Sequence, residues 1–93
     1  MEKLRKKDAE RGETELHLSQ EQKEEIARLR QFRKAKVAER EILHQVEMRK
    51  ARATGEPEAV RSVEENYGRD LSRIEEETES KIDAVRRGGG SSA

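Results

Sequence analysis

Glu41, Ile42, Leu43 and His44 set a carboxylate and an imidazole about one helical turn apart, on one face of a helix. Carboxylate oxygen and imidazole nitrogen both suit zinc or iron, so this spacing is the beginning of a metal site. With a second helix laid antiparallel, Glu64 falls on the same edge, and Glu41, His44 and Glu64 become the candidate ligands. The composition argues against them. With 21 acidic residues in 93, a Glu-x-x-His spacing arises easily by accident. Helical bundles that hold metals use two such motifs and further carboxylates. No metal and no cofactor are expected, and His44 is read instead as a polar partner of Tyr67.

Covalent catalysis has still less to work with. The serines are Ser19, Ser62, Ser72, Ser80, Ser91 and Ser92, and none is spaced to meet a histidine. There is no glycine-rich phosphate loop, and with no cysteine there is neither a thiolate nucleophile nor a disulfide. The chain reads as non-enzymatic. Basic residues are the remaining chemistry: Arg28, Arg30, Arg33, Lys34, Lys36, Arg40, Arg49, Lys50 and Arg52 share one segment. A small RNA-associated helical bundle is therefore one alternative function, and a carboxylate–histidine metal bundle another. Against nucleic acid stand a net charge of zero and an aromatic content of 2%, which leave little electrostatic pull and almost no stacking surface.

The elements that carry these residues are set by composition and punctuation. Lysine plus arginine and aspartate plus glutamate number 21 each, and 45% of the chain is charged. That is too little apolar matter for a sandwich, barrel or α/β sheet, and the length suits one domain. Glu, Arg, Lys, Ala, Gln and Leu with a single proline mark long helices. No apolar run reaches ten residues, so neither a signal-peptide core nor a membrane span is expected. A cytoplasmic protein is the expectation.

Residues 1–18 form a charged arm expected to be flexible, with Leu4, Leu16, His17 and Leu18 scattered through it. Ser19 followed by Gln22 is a capping pair that opens a helix, and Thr54-Gly55-Glu56 closes it. Pro57 suits the first turn of a second helix. Helices are expected at about 19–53 and 57–87, joined by a turn at 54–56, with 88–93 as a flexible Gly/Ser tail. The fold class is all-α, an antiparallel two-helix hairpin.

The apolar period gives the hairpin a register. The second helix reads Val60, Val63, Tyr67, Leu71, Ile74, Thr78, Ile82 and Val85, an eleven-residue repeat of about 3.67 residues per turn. The first reads Ile26, Leu29, Arg33, Val37, Arg40, His44, Met48 and Ala51 with the same steps. Antiparallel pairing joins Ala51 to Val60, His44 to Tyr67 and Ile26 to Val85, with every pair's numbers adding to 111. Arg33 and Arg40 are expected to snorkel, their stems over the seam and their heads in water. Charge supports the pairing, since residues 19–53 carry ten basic and six acidic side chains and residues 54–87 carry six basic and ten acidic. Lys34 is expected to reach Glu75 or Glu79, and Lys36 to reach Glu77.

The first helix has more apolar surface than the hairpin uses. Phe32, Ala35, Leu43 and Val46, with Ile42 at the margin, form a second stripe centred on Glu39. It is nearly palindromic, Phe32 mirroring Val46 and Ala35 mirroring Leu43. Two copies are expected to pair antiparallel about Glu39, making a homodimeric four-helix bundle. The functional expectation is an assembly or adaptor module that works through protein contacts, with itself first and another protein second.

Overall fold

A computed structural model describes residues 18–88. They form two helices, α1 (Gln20–Thr54) and α2 (Pro57–Arg86), packed against each other. Residues 1–17, His17 included, and 89–93 lie outside the described residues, and so do the expectations placed on them.

Side chains and one glycine set the helix ends. Ser19 is extended at φ −70°, ψ 164°, and its Oγ accepts from the Gln22 N–H at 3.1 Å. The Gln22 Oε1 accepts in return from the Ser19 N–H at 2.8 Å. Two N–H groups with no helical partner are thereby satisfied. Ser19→Ala removes one of these bonds and is expected to lower stability by about 1 kcal/mol, read by urea denaturation. At the other end Gly55 turns left-handed, φ 74°, and its N–H donates to the Arg52 carbonyl at 3.1 Å. Thr54 Oγ1 donates to the Ala51 carbonyl at 2.6 Å and accepts from the Glu56 N–H at 3.1 Å, which turns the chain into Pro57.

All sixteen positions of the two apolar series are buried or half-buried. Cross-helix contacts run in opposite directions along the two helices, as an antiparallel pair requires. His44 stacks on Tyr67, Arg40 binds Asp70, Arg33 binds Glu75, and Gln22 Nε2 donates to the Val85 carbonyl at 2.8 Å. Gln22 thus does two jobs, capping α1 and taking up a carbonyl in the last turn of α2. The tightest packing lies at this open end, where Leu18, Ile26, Ile82 and Val85 form a buried cluster with Leu29 against it. Leu18, the last residue of the sequence-defined arm, is 9% exposed. The packed unit therefore begins one residue before the cap.

The two arginines correct the snorkelling expectation. Arg40 has a side chain only 12% exposed, and its Nε donates to Asp70 Oδ2 at 2.8 Å. Its Nη1 lies 3.3 Å from Glu47 Oε1, and its guanidinium carbon 5.4 Å from the Tyr67 ring centroid. Arg33 Nη1 donates to Glu75 Oε2 at 2.6 Å. Both heads meet carboxylates on the acidic helix, Arg40 in a part-buried pair and Arg33 in one that stays exposed at the seam edge, because the fork of a guanidinium can donate there while its stem stays packed. This also displaces the expected lysine pairs. Arg33, nearer the seam than Lys34, holds Glu75, and the Lys36 ammonium stands 5.4 Å from the Phe32 ring centroid.

Candidate functional site

Among the described residues no group of three or more His, Cys, Asp or Glu side chains is arranged to hold a metal. Glu41 is exposed, while His44 and Glu64 line an open groove near the turn with Gln45, Met48, Arg49 and Arg52. The three candidate ligands are not gathered. His44 is occupied by Tyr67, with ring centroids 3.9 Å apart and planes at 11°. The contact between the two partners is a ring stack. Near-parallel rings turn their polar edges away from each other, and His44 Nδ1 is buried with no hydrogen-bond partner. The layer contributes flat contact area and a fixed register.

Two of the cations that a nucleic-acid surface on α1 would present, Arg33 and Arg40, are engaged by α2. The Arg40 bond holds the Asp70 carboxyl below the usual carboxylate range, with the charges of Arg40, Arg73 and Arg69 adding to the effect. Asp70 in turn raises Arg40, which stays charged throughout the accessible pH range. A carboxyl depressed in the folded state stabilises fully above its unfolded pKa, and that share is lost as pH falls through the folded value. The hairpin is therefore expected to weaken on acidification below about pH 4. In Asp70→Asn the acid limb of a stability–pH curve should become shallower.

Among the described residues, the surface that remains without a partner is the second stripe of α1. Phe32 is 55% exposed, Ile42 64% and Leu43 49%, the large apolar side chains that the hairpin leaves in water. Ala35 and Glu39 are exposed with them, and Val46 is half-buried. This explains the uneven character of the two helices: α2 spends nearly all its apolar residues on the seam, whereas α1 has apolar residues on two sides. A groove beside the stripe is lined by Lys36, Glu39, Arg40 and Leu43 of α1 and Asp70, Arg73, Ile74 and Glu77 of α2. A shorter groove towards the open end adds Leu29, Phe32, Thr78 and Lys81. The stripe and the α2 charges thus share one side of the hairpin.

No helix among the described residues is long and apolar enough to cross a membrane. The chain matches no family model, no curated protein and no solved structure. The reading of function therefore rests on the hairpin itself.

Proposed function

We propose that the protein is a non-enzymatic assembly module, a helical hairpin that pairs with a second copy of itself through the exposed stripe of α1. The observation that carries this reading is the exposure of Phe32, Ile42 and Leu43 on one side of one helix. Single exposed apolar residues are ordinary, but several along one side of a helix already packed elsewhere point to a contact surface.

Three arguments select a second copy as the occupant. The strip is self-complementary about Glu39, so an antiparallel two-fold axis sets Phe32 against Val46 and Ala35 against Leu43, each contact occurring twice. A two-helix hairpin has too small a core for comfortable stability, and pairing supplies the missing burial. The chain's own N-terminal segment is a poor substitute, since ten of residues 1–17 are charged and Leu4 and Leu16 are its only leucines.

The absence of cysteine makes the test clean. In Glu39→Cys the two thiols meet on the proposed axis, and mild oxidation should give a disulfide-linked dimer with unchanged helical content. Lys34→Cys, on another side of α1, should stay largely uncross-linked. Equal, slow cross-linking of the two variants would contradict the arrangement.

A further inference from the structure

We infer that α2 carries a second self-complementary face, made of charges, which closes the paired hairpins into a four-helix bundle. The inference rests on the α1 pairing proposed above and concerns what that pairing does to the acidic helix. Contact between the two α1 helices alone leaves open whether the α2 helices meet or stand apart.

At about 100° per residue, Ala59, Asn66, Asp70, Arg73, Glu77 and Ala84 fall within roughly 60° of one another on α2. Asp70, Arg73 and Glu77 line the groove that Glu39, Lys36 and Leu43 line from α1, so this face and the α1 stripe lie on the same side. Its order is a near-palindrome with an oppositely charged pair at its centre. In an antiparallel α2 pair, Asp70 meets Arg73 of the second copy, Asn66 meets Glu77 and Ala59 meets Ala84; the numbers of each pair add to 143.

The position of the axis was not free. Glu39 is level with Ser72 in the hairpin register, so an axis through Glu39 demands α2 pairs adding to 144. The charge pattern asks for 143, half a residue away. One two-fold axis therefore serves an apolar palindrome on α1 and an ionic one on α2.

The side chains are placed for this exchange. Arg73 is 67% exposed and stands 3.7 Å from Asp70 Oδ1 of its own helix, a loose contact. Asp70 is held on its other oxygen by Arg40, leaving Oδ1 for a second cation. Arg73 of the second copy would fill that place at both ends of the axis. Glu39 lines the same groove as Arg73 and Lys36, so the two Glu39 carboxylates meeting on the axis have cations beside them. Ala59 and Ala84 are small and half-buried, and they permit close approach of the helix ends. Alternating signs along the face reject a parallel or shifted partner, in which Asp70 would meet Glu77 or another Asp70.

Mixing Ala59→Cys with Ala84→Cys in the otherwise cysteine-free chain, then oxidising, tests the face. A disulfide-linked mixed dimer is expected, with little product from either variant alone. Arg73→Glu should weaken self-association about tenfold in sedimentation while the helical signal stays at the wild-type level. If Glu39→Cys cross-links but the Ala59→Cys and Ala84→Cys mixture does not, α2 does not meet α2. The closed bundle is then wrong, while the α1 pairing stands. If neither cross-links, both fall.

Discussion

Ile82→Ala should lower the stability of the hairpin by about 2–4 kcal/mol, the cost of emptying a fully packed aliphatic site. Ile82 is 1% exposed and sits among Leu18, Ile26 and Val85. The loss falls where the structure has least in reserve. Near the turn, Met48 at 8% and Ala51 at 5% exposure are kept against α2 by the short connection through Gly55. At the other end nothing covalent joins the helices. Among the described residues, this cluster and the Gln22 bond to the Val85 carbonyl close it. Small domains have a few kcal/mol to lose in total, so the substitution should open the hairpin from its free end. Hydrogen exchange is the measurement: amides near Ile26 and Thr78 should lose protection first, with those flanking Gly55 retaining it longer. Uniform loss along both helices would show that the open-end cluster has no special role.

Phe32→Glu should weaken self-association by about a hundredfold or more without unfolding the hairpin. Phe32 is 55% exposed within the hairpin, so the substitution leaves the seam intact. Across a two-fold axis the ring is buried twice, and burying an aromatic side chain is worth about 1.5–3 kcal/mol. With about half of the ring still exposed in the hairpin, losing two such contacts amounts to roughly 1.5–3 kcal/mol per dimer before the cost of the new charges, and every 1.4 kcal/mol is a factor of ten. The introduced carboxylates would also be desolvated against Val46. Sedimentation equilibrium reads the association, and far-ultraviolet circular dichroism checks that the helices persist. An unchanged association constant with unchanged helicity would remove Phe32 from any interface.

The helical architecture was legible because its determinants are local. Ser19 with Gln22 marks a start that depends on three residues, and Gly55 followed by Pro57 marks a stop and restart in the same way. Two helices of similar length joined by so short a turn must pack side by side, and His44 on Tyr67 shows the layer at which they do so. Less legible was how the seam treats polar groups. Apolar spacing names the positions of Arg33 and Arg40, but only the relative height of two helices decides which carboxylates lie within reach. Asp70 and Glu75 of the other helix took these heads, and the Arg40 head, joined also by Glu47 of its own helix, is drawn out of the water to which periodicity alone sends it. Leu18 was hidden for a similar reason. It precedes the cap, so helical period does not speak for it, and its burial depends on Ile82 and Val85 of the other helix. The Glu41, His44 and Glu64 spacing is the reverse case: a local pattern is present, but the three side chains are not gathered among the described residues, and His44 lies on Tyr67, the partner of its own layer.

The proposal that the exposed stripe on α1 makes this hairpin an assembly element is tested most directly by the mass of the native protein in solution. Native mass spectrometry and sedimentation of the wild-type chain at moderate salt should give twice the chain mass, reverting towards one at high dilution. A folded, fully helical species with the mass of one chain at every concentration would contradict self-association through Phe32, Leu43 and Val46.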